Sequence, residues 1–251
     1  AIPTTTVPIM AAALASVLIE PLNELPFILN LWGESGKGKT VALNLATSIF
    51  ADPNGGYMFE SSSTFTAFEA RNNFLNNLPV MIDDLSQLKN KYDDDFSSLI
   101  YMLCSGKGKG RSNINLGLNK ATTWRCSILT NNEHSIIREN MQGGAINRVI
   151  DVEIEEGYVF ENGNRTVETL RGNYGFLGKE FIEKISELGI ESIKKTQKEF
   201  IKRLKKKAKA ENVLKEEKQI NSMSIILTAD KILEEYFFQD GIILDFNPCY
   251  D

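Results

Sequence analysis

The sequence predicts an α/β fold: a mainly parallel sheet flanked by helices, followed by a helical subdomain. Three observations predict it. Short apolar runs bounded by turn residues alternate with helix-length segments as far as Ile154, the pattern of strands joined by crossover helices. The first such run ends in a glycine-rich turn that opens a helix. From about Tyr174 the strand-like runs stop and apolar residues recur at helical spacing. The expected division is residues 1–172 for the core and 173–251 for the helical part.

The elements follow in order. Pro8 to Ile19 reads as an amphipathic helix, and Pro26 to Trp32 as a buried strand. Val41 to Phe50 is helical and ends at Asp52-Pro-Asn-Gly-Gly56, a strong stop signal. A second helix covers Phe65 to Leu75, with Thr66 and Glu69 spaced as a capping box. Leu78 to Asp83, Ser127 to Thr130 and Val149 to Ile154 complete the strand list, with a helix at Phe96 to Cys104 between the first two. Ile190, Ile193, Phe200, Ile201 and Leu204 place one or two helices between Phe181 and Lys218.

Composition bounds the class. A chain of 251 residues can bury one sizeable core. Its formal net charge of −5 argues against whole-surface attraction to nucleic acid, while leaving local basic patches open. Cys104, Cys126 and Cys249 are odd in number, widely spaced and in no CxxC pair. They predict a reducing, cytoplasmic setting without a disulfide framework or zinc module. The single histidine, His134, excludes His-rich metal sites and argues against a His-based triad. No apolar run is long enough to cross a bilayer, and the alanine-rich start lacks the basic flank of a signal peptide. The first residue is Ala, as expected of a piece cut from a longer protein.

Gly33-Glu34-Ser35-Gly36-Lys37-Gly38-Lys39-Thr40 fits G-x-x-x-x-G-K-[ST] in full. Glycines at these places let successive backbone N–H groups face phosphate oxygens, and the following helix, from Val41, adds its positive end. Lys39 is expected to reach the β- and γ-phosphates of ATP, and Thr40 to offer its hydroxyl to Mg²⁺. A phosphate loop also needs a carboxylate at the end of a neighbouring strand. Asp83 supplies it, and Asp84 stands where many such ATPases carry a water-activating Glu. Asn131, at the end of a later strand, is placed to orient that water or touch the γ-phosphate; a turn cap is the alternative. Arg148, just before the last strand, could stabilise phosphoryl-transfer charge in a neighbouring subunit or form an ordinary salt bridge. Lys107, Lys109 and Arg111 alternate with glycines, which suits either a grip on a phosphate backbone or a solvated loop. The lysine-rich stretch from Lys194 to Lys218 leaves the same two readings open: nucleic-acid contact or a solvated helix face.

Taken together, these landmarks resemble the AAA+ ATPases. They are most similar to a phage and mobile-element family labelled a domain of unknown function, whose relatives include the Cch-type, MCM-like replicative helicases of chromosomal cassettes and pathogenicity islands. The resemblance runs from Ala11 to Ala229. It is carried by the phosphate loop, Ile82-Asp-Asp84, Ile100 to Arg111, Trp124 to Glu133, Gly144 to Arg148 and Asn173 to Gly178. It implies Walker A roles for Lys39 and Thr40, Walker B roles for Asp83 and Asp84, and sensor 1 at Asn131 with Thr130 as a rival. It further implies an arginine finger at Arg148 acting across a subunit interface, hence a ring, typically a homo-hexamer around single-stranded DNA, and replication partner proteins. Lys107 to Trp124 would be a hairpin projecting into the ring channel. Two departures stand out: Asp84 replaces the usual Glu, and Lys218 is the nearest match to a sensor 2 arginine. The implied function is a DNA helicase; a slow-hydrolysing DNA loader or remodeller is the alternative.

Overall fold

The computed structural model describes residues 6–60, 65–85, 97–109, 121–139, 141–154, 159–210, 212, 217–241 and 243–244. In chain order the elements are α1 (Val7–Ile19), β1 (Phe27–Trp32), α2 (Lys39–Ser48), β2 (Phe59–Glu60), α3 (Phe65–Leu75), β3 (Val80–Asp83) and α4 (Ser97–Ser105). They continue with β4 (Ser127–Asn132), α5 (Gly143–Ile146), β5 (Val149–Glu153), α6 (Gly163–Leu170), α7 (Phe176–Leu188), α8 (Ile190–Ala210) and α9 (Glu217–Leu233). A π-helical turn, Glu234–Phe238, continues directly from α9. The five strands are all parallel, in the order β2-β3-β4-β1-β5. Parallel pairing brings every strand's carboxyl end to one edge of the sheet, and that edge carries the residues of interest.

Strand alternation sorts the side chains into two cores. Phe27, Leu29, Leu31, Met81, Leu129 and Ile150 pack on one face with α1, α2 and the helices α7 to α9. Ile28, Val80, Ile82, Ile128 and Val149 pack on the other with Phe68 of α3 and Leu99, Ile100 and Leu103 of α4. The first core is continuous from Ile9 of α1 to Ile232 of α9, so the C-terminal helices share their apolar interior with the sheet.

Three expectations need correction. The first helix is not amphipathic: of Val7–Ile19 only Pro8 and Val17 are less than buried. It lies between α9 and the sheet, and its alanines, Ala11, Ala12, Ala13 and Ala15, let both neighbours approach closely. Ser16 and Ala12 tie it to β4, since Ser127 N–H donates to Ser16 Oγ (3.0 Å) and Ser127 Oγ donates to the Ala12 carbonyl (2.8 Å). The capping box does not form: Thr66 lies inside α3, and Glu69 accepts the backbone N–H of Lys109 at 2.7 Å instead. Finally, Asp83 is not on the strand beside the phosphate-loop strand, because β4 runs between β1 and β3.

Candidate functional site

The turn after β1 is built by glycine. Gly33 has φ +146°, and a Cβ there would stand 2.9 Å from the carbonyl oxygen of Ile154. Gly38 precedes α2 with φ +93°, a left-handed conformation that side chains disfavour. The helix then starts at Lys39, two residues before the expected Val41, so Lys39 and Thr40 both belong to its first turn. Lys39 is buried, and its Nζ donates to the carbonyls of Gly33 and Glu34, each at 2.7 Å. The ammonium therefore lies folded over the loop. Burial lowers its pKa from the ordinary lysine value, Glu133 opposes that shift, and Lys37 adds to it. Lys37 itself points away, donating to the Ile154 carbonyl at 3.2 Å.

Alternation on the strands decides which polar residues face α2. Asp83 shares its side of the sheet with Met81, and Asn131 shares its side with Leu129. Both therefore turn toward Thr40, with Asn131 between the other two. Its amide donates to Asp83 Oδ1 at 2.9 Å and to Thr40 Oγ1 at 3.1 Å, while Thr40 Oγ1 donates to Asp83 Oδ1 at 3.3 Å. The side-chain oxygen Oδ1 of Asn131 accepts the backbone N–H of Asp84 at 2.8 Å. Asp84 has φ +54°, a left-handed backbone that Asp tolerates better than most residues and that recurs at functional sites. Thr130 is fully buried on the opposite face with Ile128, so it does not face the site.

A cavity of about 450 Å³ opens between these groups. It is lined by Ser35, Gly36 and Gly38 to Val41 on the loop and helix side, and by Asp83, Asp84, Asn131, Asn132 and Glu133 on the strand side. A second, of about 390 Å³, flanks the loop on the β5 side and is lined by Gly36 to Gly38, Val41, and Phe160 to Asn164. Val159 N–H donates to the Lys37 carbonyl at 2.9 Å, fixing that wall to the loop. Glu133 and the Phe160–Asn164 wall were not singled out in the sequence. Glu133 follows directly on a predicted strand end, which was the available signal. The wall lies where no motif marks it.

From Asn132, at the cavity edge, a partly buried polar chain runs along the opposite face of the sheet. Asn132 donates to Asn30 (2.5 Å), Asn30 donates to Asp151 (2.5 Å), and Ser135 Oγ donates to the other Asp151 oxygen. Burial raises the Asp151 pKa, and the Ser135 and Asn30 hydrogen bonds hold it back. Asn30, a polar residue within an apolar strand, was the sequence trace of this network.

The cationic candidates lie at the other end of the strands. Lys107 pairs with Thr123 as an antiparallel bridge, Gly108 N–H donates to the Thr122 carbonyl (2.8 Å), and Trp124 N–H to that of Gly106 (3.1 Å). These bonds pair residues 106–108 with residues 122–124, and Lys107 and Lys109 are exposed; Arg111 and the rest of the expected hairpin lie outside the described residues. Arg148 precedes β5 and is not brought to its own phosphate loop. The strand between Ile28, level with Val149, and Trp32 separates them by roughly 13 Å or more. Its guanidinium lies 4.8 Å over the ring of Tyr101 and donates to the Gly144 carbonyl, and its Nε is buried with no hydrogen-bond partner among the described residues. Lys218 lines a small cavity with Arg148, Glu24 and Pro26, so it is not brought to the glycine-rich turn after β1. His134 is exposed, and Cys104 and Cys126 are buried free thiols. Burial pushes Cys104 up to about 12, which leaves it unreactive.

Residues 4–124 match the model of a family described as a domain of unknown function, DUF927. Among solved structures, one described as the active helicase Cch of SCCmec type IV aligns with a TM-score of 0.71 and 21% identity. The alignment covers 92% of this chain and 43% of that one, so the chain spans less than half of that protein's length. At this identity the likeness establishes a shared fold. No curated protein matches. No described helix is long and apolar enough to cross a membrane.

Proposed function

We propose that this chain is the ATPase motor of an AAA+-type DNA helicase. The observation that carries the reading is the hydrogen-bonded set Thr40, Asp83 and Asn131 facing the glycine loop and Lys39. A hydroxyl and a carboxylate at this spacing suit Mg²⁺. With metal–oxygen bonds of about 2.0–2.1 Å, adjacent ligands on an octahedral ion sit roughly 2.9 Å apart, near the 3.3 Å between Thr40 Oγ1 and Asp83 Oδ1. Among the described residues no cluster of three His, Cys, Asp or Glu could hold a metal. That fits an ion completed by phosphate oxygens and water rather than by a protein cage. The ion would supply charge neutralisation at the β- and γ-phosphates.

In this reading the loop N–H groups and the amino end of α2 hold the phosphates, and Lys39 leaves the Gly33 and Glu34 carbonyls to reach them. The strand-side cavity takes the γ-phosphate and attacking water. The cavity walled by Phe160 to Asn164 takes the nucleoside. Asn131 orients the water, and Asp84 accepts its proton, with Glu133 as a second carboxylate on the same wall. Arg148 acts on the site of the next subunit in a ring, where its charge meets the transferring phosphoryl group. Lys107, Lys109 and Arg111 grip the DNA backbone without reading bases. The helices from residue 173 onward form the lid-like part.

The test is ATP hydrolysis with and without single-stranded DNA. Lys39→Ala should abolish hydrolysis, and replacing Lys107, Lys109 and Arg111 by alanine should remove the DNA stimulation while sparing the basal rate. A Lys39→Ala protein that hydrolyses ATP normally refutes the nucleotide site; an undiminished response to DNA refutes the hairpin role. The short side chain of Asp84 favours one other reading, a nucleotide-gated loader or remodeller that hydrolyses slowly. It predicts ATP-dependent partner binding without strand displacement.

A further inference from the structure

Helix α8 carries nine Lys and Arg residues against two acids, Glu191 and Glu199, in a chain whose net charge is −5. Its burial pattern is one-sided. Ile193, Gln197, Leu204 and Ala208 are buried, with Phe200 and Ile201 beside them, so one stripe seats the helix on α7 and α9. Lys195, Lys198, Lys202, Lys205 and Lys209 are exposed and advance by alternate steps of three and four residues. At 100° per residue they form a single row opposite the apolar stripe, with Lys206 alongside. The row is about 21 Å long at 1.5 Å per residue.

A helix face selected only for solvation mixes signs, and the neighbouring helix does so. On α7, Lys179 pairs with Glu183 and Lys184 with Glu187. On the α8 row, Lys205 reaches Glu217 at 3.5 Å, whereas Lys195, Lys198, Lys202, Lys206 and Lys209 have no ion pair among the described residues. Like charges at i,i+3 and i,i+4 weaken a helix, and the helix dipole offsets this only for the last-turn lysines. The row therefore costs stability that a polyanion would repay. Its placement adds a second argument. Glu24 accepts Gln197 of α8 at 3.0 Å through its carboxylate, and Arg125 at 2.9 Å through its carbonyl. Arg125 follows Trp124, whose N–H pairs with the Gly106 carbonyl. The middle of α8 is thus tied to the end of the sheet that carries Lys107 and Lys109.

We infer that the exposed lysine row of α8 is a second nucleic-acid contact, a track that holds a phosphate backbone outside the hairpin. It extends the DNA partner of the proposed function, but its test uses neither ATP nor hydrolysis. Each strand of a duplex presents a phosphate about every 3.4 Å, and each neutralised phosphate contributes about −0.9 (duplex) or −0.7 (single strand) to the slope of log K against log salt. The experiment is anisotropy of labelled 20-mer single-stranded and duplex DNA with the full chain, without nucleotide, across a salt series. Replacing Lys195, Lys198, Lys202, Lys206 and Lys209 together by Gln should reduce the slope by about two to four and weaken binding at least tenfold near 0.1 M salt. Replacement by Arg should preserve both values, and circular dichroism should show the helix intact. The arm with the larger loss identifies single strand or duplex as the occupant.

Two controls keep the result specific. Lys179, Lys184 and Lys231, each already ion-paired, are changed to Gln to report the effect of charge alone. Lys39→Ala removes the phosphate-loop amine and should leave DNA affinity unchanged, so failure of the nucleotide reading does not touch this one. Wild-type slopes in the five-Gln variant overturn the inference, as does an equal loss in the control. So does selective loss of binding to phosphatidylserine vesicles with DNA affinity intact, which would make the row a membrane contact.

Discussion

Asn131→Ala should damage fold and chemistry by amounts that can be worked from its three hydrogen bonds. A bond to a charged acceptor such as Asp83 contributes roughly 1.5–3 kcal/mol, and an orphaned N–H costs about 1–3 kcal/mol when fully buried, less for the partly buried Asp84. The cavity beside Asn131 admits water, so the low end applies. A net loss of about 2 kcal/mol lowers Tm by roughly 4–8 °C for a chain of this size. If Asn131 also orients the reacting water, losing one aimed donor costs about 10²–10³-fold in kcat. Asn131→Asp separates the two effects. It keeps the oxygen that accepts the Asp84 N–H, but places a second carboxylate against Asp83 at the 2.9 Å contact. Like charges so close cannot both ionise freely. Hydrolysis should therefore fall about as far as in the alanine variant, and nucleotide affinity should rise when Mg²⁺ is increased. Phosphate release, a fluorescent-nucleotide titration and thermal melts measure the three quantities. Wild-type turnover in Asn131→Ala would refute the placement of Asn131 at the reacting centre.

Two further perturbations follow from other parts of the molecule. Asp230 of α9 is buried against Glu234 and Asp240, and its pKa rises to about 6, chiefly through burial, with the Leu244 N–H bond opposing. Because the unfolded chain ionises near the ordinary 3.8, the penalty is absent below that pH, grows as pH rises to about 6, and is constant above. Asp230→Asn should thus raise Tm at pH 7.5 by a few degrees and leave it unchanged near pH 3.5. A gain of equal size at both pH values would show that ionisation is not the cause. Gly144→Ala drives a Cβ into the hydroxyl of Tyr101, whose ring Arg148 overlies. It should cost about 1–3 kcal/mol by overpacking and displace the Arg148 guanidinium. A second change, Tyr101→Phe, should recover most of the lost Tm, and its failure to do so would refute the clash.

The four longer strands and the phosphate loop were legible because each carries a local signal: apolar runs with turn boundaries, and a glycine-lysine-threonine spacing that few loops share. The edge strand Phe59–Glu60 was missed because two residues carry no such run. The strand order was not legible, because adjacency of parallel strands is decided by crossovers and no residue encodes it locally. That is why Asp83 was expected on the strand next to β1. The same gap kept the choice between Thr130 and Asn131 open. Both end the same strand, and only the direction of alternation, fixed by Leu129 packing toward α2 and Ile128 away from it, decides between them. The N-terminal helix misled for a related reason. Its composition permits burial on every side, but the partner that buries it, α9, lies some two hundred residues later, and long-range contacts overrule local periodicity. Asn30 was legible in principle. A polar side chain in a buried strand demands partners, and Asp151 and Asn132 provide them.

Arg148 offers the sharpest test of whether the proposed nucleotide site is shared between subunits. The residue sits at the strand-starting end of its own sheet, and the phosphate loop lies at the strand-ending edge. No rotamer spans that gap, so a catalytic role for Arg148 requires a second copy of the chain. Arg148→Ala and Lys39→Ala should each be inactive alone, the first for want of the arginine and the second for want of the phosphate-loop amine. Mixed before assembly, they should recover activity. An interface formed by the intact loop of one variant and the intact arginine of the other is complete, and random assembly of equal amounts yields about one such interface in four. Recovery toward a quarter of the wild-type rate supports the shared site. If the mixture stays inactive while native mass spectrometry shows mixed assemblies, Arg148 is a structural residue that buries its charge on Tyr101. An Arg148→Ala protein that hydrolyses ATP at the wild-type rate leads to the same conclusion.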